Sequence, residues 1–251
     1  ETSRCKWRIS SSSSVDVVLF ASTLRYANPI SPQPAVRADM SLLYDPAEAV
    51  AHLRRKDKTL GGIMRRAGPF TMQPQRLASP FESLLRAIVY QQLNGKAAAT
   101  IYGRVTALLP NPKRPTPEAL LKVKDAALRK AGLSANKTRA ARDLTAKTLD
   151  GTVPTLRKLR AMPDDEIIER LTEVRGIGVW TVEMLLIFKL GRPDVLSSSD
   201  FGVRNGFRLA YNLPDMPKPT ELLEHGERWR PFRSVACWYL WRAVDLHKNA
   251  Q

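Results

Sequence analysis

The chain has 251 residues, 43% of them hydrophobic, and its 40 Lys and Arg outnumber its 24 Asp and Glu to give a formal net charge of +16. That apolar share supports a sizeable core and excludes global disorder. The longest apolar runs, such as Met184–Phe188, are too short to span a bilayer. Two cysteines, Cys5 and Cys237, exclude a disulfide framework, a four-Cys zinc site and a four-Cys iron–sulfur cluster. The charge favours a polyanionic partner, with nucleic acid first, and the cysteine usage fits a reducing compartment.

Residues 1–39 read as an arm. They hold a serine run, Ser10–Ser14, then Pro29, Pro32 and Pro34, with no apolar period. The stretch Val15–Ala21 is apolar but short and carries Asp16, a poor fit to a secretory segment. Position 1 is not Met, and Met40 opens the first periodic sequence, so this arm is expected to be disordered or not native. Residues 40–251 carry 35 basic against 21 acidic residues, a net +14, so the basicity belongs to the body.

From Met40 onward the pattern is helical. Asp45-Pro46-Ala47-Glu48 combines an N-cap, a first-turn proline and a carboxylate at the third position. Ser79-Pro80-Phe81-Glu82 repeats the device, and Phe81, Leu84, Leu85 and Ile88 then form one apolar stripe. Ala97, Ala98, Ile101, Tyr102 and Val105 make another, and Thr116-Pro117-Glu118 starts a further helix. The spacing predicts helices over Ser134 to Thr148, Asp164 to Val174, Val179 to Leu190, Phe201 to Tyr211, Thr220 to Glu227 and Pro231 to Leu246. No strand-period run of useful length occurs, so the body reads as an all-α domain of about ten helices.

The most informative stretch is Leu171-Thr-Glu-Val-Arg-Gly176-Ile-Gly178-Val-Trp-Thr181. Two helices meet at Gly-Ile-Gly, where glycines permit positive φ and close backbone approach. The second helix begins with free N–H groups and a positive dipole end, suited to an anion such as a DNA phosphate. Taken alone, the same residues make an ordinary C-cap and tight turn. Asp200 lies 22 residues beyond Gly178, after a Gly/Pro-bearing loop, as an N-cap or as a catalytic anion facing the same groove. Lys96, Lys137, Arg204 and Arg208 are candidate phosphate contacts or solvated charges.

Together these motifs resemble the helix-hairpin-helix/Gly-Pro-Asp superfamily of DNA glycosylases, and within it the short form of the 3-methyladenine DNA glycosylase II group. The resemblance covers about residues 45–246. It rests on Phe81-Glu82, Arg86-Ala87-Ile88, Gln91-Gln92-Leu93-Asn94, Gly132-Leu133-Ser134 with Lys137, the hairpin with Trp180-Thr181, Asp200, and Arg230-Pro231-Phe232-Arg233-Ser234 with Trp241. It implies a two-lobed helical domain with its active site in the cleft, and makes Asp200 the catalytic aspartate. Trp180, Met184 and Trp241 would line a base pocket. Gln91, Gln92 and Leu93 would fill the space left by a flipped nucleotide, and main-chain N–H groups at Gly176, Gly178 and Thr181 would hold the DNA backbone. The carbonyls of Thr172, Val174 and Ile177 match those that hold Na+ or K+ in relatives; no other cofactor is implied.

The implied activity is removal of alkylated purines, of the 3-methyladenine and 7-methylguanine type, from double-stranded DNA by a monomer, with no membrane partner. Its place would be the nucleoid in a bacterium, or the nucleus or an organelle in a eukaryote. Trp180 stands where lyase-active relatives carry a nucleophilic lysine, which implies a monofunctional enzyme. Ser197-Ser198-Ser199 precedes Asp200 where many relatives carry a proline and often another acidic residue. Two other readings stay open: a non-catalytic helix-hairpin-helix module that binds DNA damage, and a glycosylase for deaminated or mismatched bases. The latter requires more hydrogen-bonding side chains than Trp180, Met184 and Trp241 provide.

Overall fold

The structure, a computed structural model, describes residues 42–249, so the arm 1–39 and Cys5 lie outside the described residues. Among the described residues there are thirteen α-helices and no strand. They are α1 Pro46–Lys56, α2 Lys58–Ala67, α3 Pro80–Tyr90, α4 Gly95–Ala107, α5 Pro117–Leu121, α6 Asp125–Lys130 and α7 Ala135–Leu149. There follow α8 Leu156–Ala161, α9 Asp164–Thr172, α10 Val179–Phe188, α11 Phe201–Ala210, α12 Pro219–Gly226 and α13 Arg233–Asn249, with a 3-10 turn Glu227–Trp229 before the last.

The caps act where the sequence places them. Asp45 accepts the Ala47 N–H at 2.8 Å, Ser79 that of Glu82 at 3.5 Å, and Thr116 that of Ala119 at 3.3 Å. The structure has more helices than the ten expected, because α6 and α8 are too short to show a period. The third addition, α2, is split from α1 at Asp57, which ends one helix and caps the next through the Leu60 N–H.

The helices fall into two groups. In one, α7 packs against α3, α5 and α6; in the other, α1, α2 and α11 gather around α13, with α12 against α11. The second group is tied by Asp57, whose buried carboxylate accepts from Tyr211 Oη at 2.5 Å and Trp229 Nε1 at 2.9 Å, and lies 3.1 Å from His225 Nε2. Burial alone would raise its proton affinity. The hydrogen bonds from His225, Leu60, Tyr211 and Trp229 outweigh that and hold the carboxyl well below the usual range. Helix α10 buries Val182, Glu183, Leu185, Leu186 and Ile187, and Glu183 is its only charged residue.

Candidate active site

The turn between α9 and α10 is built on one left-handed residue: Gly176 has φ +79°, whereas Gly178, the N-cap of α10, is extended with φ −99°. Gly176 therefore needs glycine for its backbone, and Gly178 leaves a surface with no atom within 4 Å of where a Cβ would stand. No side chain caps α10. Thr181 does not offer a free N–H to the DNA backbone as the resemblance implies. The Thr181 N–H bonds to the Gly178 carbonyl at 2.9 Å, so an anion at this end meets the turn before it.

Helix α7 holds this hairpin and the neighbouring loop from behind. Asp143 accepts the Arg175 N–H at 2.7 Å, and Lys147 pairs with Asp143 at 3.3 Å while its ammonium donates to the Glu173 carbonyl. Lys137, expected on a phosphate, instead donates to the carbonyls of Val89 and Gln91 at 2.8 and 2.7 Å. Its ammonium takes up the end of α3, half-buried, and burial lowers its proton affinity. Gln91 closes the circuit by donating Nε2 to the Gly176 carbonyl at 2.7 Å. Gln92, exposed, takes the left-handed conformation at φ +54°, and Leu93 turns toward the pocket described below. Lys96 is exposed on the first turn of α4. Arg204 is half-buried and donates Nε to the Pro217 carbonyl at 2.8 Å.

Asp200 is 7% exposed and both caps α11 and faces the aromatic residues. Its Oδ1 accepts the Val203 N–H at 2.7 Å and the Trp241 indole N–H at 2.9 Å; its Oδ2 accepts the Trp180 indole N–H at 2.7 Å. A Cβ at Gly202 would stand 2.8 Å from Trp241 Cδ1 and 3.1 Å from Asp200 Oδ1, so a glycine there lets the indole reach the carboxylate. Among the described residues no Lys or Arg pairs with Asp200.

A pocket of about 280 Å³ opens between α3, the Gln91–Leu93 loop and α10. Trp180, Met184 and Phe188 line it from α10 at every fourth position, with Tyr90 opposite. Trp241 is not on this lining. It is buried beside Phe188, with ring centres 5.5 Å apart, and its indole N–H donates to Asp200, so it stands behind the carboxylate. The sequence also missed Gln75, Ser83, Arg86 and Lys189, which add hydrogen-bonding groups to an aromatic wall. Gln75 is fixed there by its N–H to the Phe188 carbonyl at 2.7 Å, a pairing no local motif announces. The Arg86 guanidinium lies 4.1 Å from the centre of the Tyr90 ring. Burial, then the nearby Arg86 charge, lowers the proton affinity of Lys189.

A basic helical protein that joins an open helical hairpin, a protruding loop and a buried carboxylate beside an aromatic pocket has the parts of an enzyme acting on a flipped nucleotide. Comparison with known proteins places it further. The family model for HhH-GPD superfamily base excision DNA repair proteins matches residues 85–231. DNA-3-methyladenine glycosylase 1 of Schizosaccharomyces pombe is 38% identical over 202 residues, which span 79% of this chain and 88% of the relative. The solved S. pombe 3-methyladenine DNA glycosylase (Mag1) in complex with abasic DNA aligns with TM-score 0.69 at 37% identity, over 78% of this chain and 95% of that one. A DNA-3-methyladenine glycosidase from Bacillus halodurans aligns with TM-score 0.74 at 36% identity, over 85% and 95%. The chain belongs to the HhH-GPD superfamily of base excision DNA repair proteins.

Proposed function

We propose that this protein is a monofunctional DNA glycosylase that removes alkylated purines from duplex DNA by hydrolysing the N-glycosidic bond. The observation that carries the reading is Asp200, a buried carboxylate held by two indole N–H groups and a helix N-terminus at the edge of an aromatic pocket. Cleavage develops positive charge on the sugar, and a fixed, desolvated carboxylate stabilises that charge while orienting water toward C1′. An O-glycoside would need a second carboxyl to protonate its leaving group. An N3- or N7-alkylated purine already carries positive charge and departs without that acid. Trp180 and Tyr90 supply aromatic faces for such a base, worth on the order of 0.5–2 kcal/mol each by cation–π attraction.

With Trp180 where a lyase lysine would stand, no amine is placed there to form a Schiff base, which supports the monofunctional reading. The exposed loop at Gln92 and Leu93 would occupy the gap in the duplex, and the open turn at Gly178 would meet a phosphate. The carbonyls of Thr172, Val174 and Ile177 would hold Na+ or K+ there. The ion would bridge hairpin and phosphate.

The test is release of free bases from methylated duplex DNA by the wild type and Asp200→Asn, with hypoxanthine-containing duplex included because Gln75, Arg86 and Lys189 are donors suited to a carbonyl oxygen. Release by the wild type, and a loss of at least about 100-fold in the variant with binding retained, is the expected result. If both bind DNA and neither releases a base, the protein is a damage-binding module and the reading fails.

A further inference from the structure

The proposed mechanism leaves the buried carboxyl of Glu183 unused. Glu183 is 8% exposed on α10, and its Oε2 accepts the Ser197 hydroxyl at 2.6 Å. Ser197 is fully buried, and its carbonyl accepts the Asp200 N–H at 3.2 Å. A continuous chain therefore runs from α10 through Glu183 and Ser197 to the backbone of Asp200. A side-chain hydrogen bond thereby ties this loop to the neighbouring helix.

Among the described residues no cation compensates the Glu183 carboxyl. Asp200 at the start of α11 and the fully buried Cys237 thiol on α13 are the titratable groups that face it, while Arg233 acts on Cys237. Among the described residues Glu183 has no ion-pair partner, and the Ser197 hydroxyl is its one side-chain hydrogen bond. Burying a carboxyl in this way costs more than placing an apolar residue of similar size would, so packing alone does not account for it.

We propose that Glu183 is the positioning residue of the Asp200 loop: through Ser197 it ties residues 197–200 to α10, and its carboxylate sets a second negative charge behind Asp200 that favours the cationic sugar. The inference rests on the glycosylase reading and deepens it. Burial pushes the Glu183 carboxyl up to about 7, with the Ser197 hydrogen bond opposing and the Asp200 charge adding to the rise. Ionisation of Glu183 therefore falls inside the working range of pH. The rate of bond cleavage should rise as that proton leaves, since the second charge is then present.

The experiment measures single-turnover release of 3-methyladenine, a base whose positive charge does not titrate in this range, from methylated duplex DNA between about pH 5.5 and 9. Glu183→Gln keeps an acceptor for Ser197 and removes the charge. Ser197→Ala keeps the charge and removes the tie. The wild-type rate should inflect near pH 7. Glu183→Gln should lose about 3- to 10-fold at high pH and lose the inflection, with affinity for abasic duplex unchanged. Ser197→Ala should be slower at every pH and keep an inflection, moved to higher pH because the hydrogen bond that favours the carboxylate is gone. A Glu183→Gln profile that superimposes on the wild type overturns this inference and leaves the glycosylase reading standing. No release by the wild type at any pH removes both. If Glu183→Gln fails to fold, Ser197→Ala decides: a rate equal to the wild type refutes the tie.

Discussion

Gly206→Ala is the sharpest test of how the site is held. Gly206 lies on the face of α11 that packs on α13, and a Cβ there would stand 1.9 Å from the Leu240 carbonyl oxygen and 2.5 Å from its carbon. Cβ atoms do not approach other heavy atoms closer than 3.0 Å, so the two helices must separate by about 1 Å. The obstacle is helix backbone, which cannot rotate aside as a side chain can. The separation loosens Val203, Phe207, Leu240 and Trp241, all buried at or near this contact. Overpacking a core commonly costs about 1–3 kcal/mol, and a clash with helix backbone belongs at or above the upper end, roughly 3–5 kcal/mol. At roughly 2–4 °C per kcal/mol for a domain of this size, the melting temperature should fall by about 10 °C. The matched control is Gly103→Ala in α4, where nothing lies within 4 Å of the new atom, and a gain of about 0.5–1 kcal/mol is expected. Urea midpoints for the three proteins measure both effects. A Gly206→Ala protein within about 1 kcal/mol of the wild type would refute the argument from close approach.

Two further outcomes follow from the same geometry. Lys137→Met should weaken DNA binding by loosening the Gln91–Leu93 loop while leaving the slope of log affinity against log salt unchanged. Lys96→Ala should lower that slope by about 1 if it contacts a phosphate, and an equal loss of slope in Lys137→Met would show that its ammonium meets phosphate after all. For Asp57, the folded carboxyl sits below its unfolded value, so its stabilisation is complete above pH ~4 and is lost as pH falls through the unfolded value toward the folded one. Asp57→Asn should be about 2–3 kcal/mol less stable at pH 7, and its melting temperature should change less than the wild type's between about pH 5 and 2.5; parallel curves would remove the argument.

The helix ends and the order of motifs were legible in the sequence because both are local. Asp45, Ser79, Thr116 and Ser134 each bond an N–H within three residues, and that signal needs no tertiary information. What stayed hidden depends on contacts across the fold. Lys137 looks like any basic residue on a helix until α3 brings the carbonyls of Val89 and Gln91 to it. Trp241 sits among Val235, Trp238 and Leu240 on an apolar helix, and only the approach of Gly202 gives its indole N–H a partner at Asp200. Glu183 offered a signal that could have been read, as the single charge in the otherwise uncharged run Val179–Phe188. A carboxylate in such a run calls for a partner, and the Ser197 run nearby supplied one.

The choice of donors around Asp200 has an electrostatic reason. A body with a net +14 has many guanidinium and ammonium groups at hand, yet the carboxylate is met by two indoles and a backbone amide. A paired Arg would satisfy the buried oxygens equally well, but its positive charge would cancel the field that a cationic sugar needs. Neutral donors and a helix N-terminus satisfy the hydrogen-bonding capacity of the carboxylate with only partial charges. On the mechanism proposed above, the net charge of Asp200 is then left for the transition state. Two of those cations, Lys137 and Lys147, instead brace the loop and the hairpin. On the proposed reading, Glu183 behind Asp200 extends the same division: the two carboxyls share one side of the site, while Arg86 and Lys189 stand on the pocket lining.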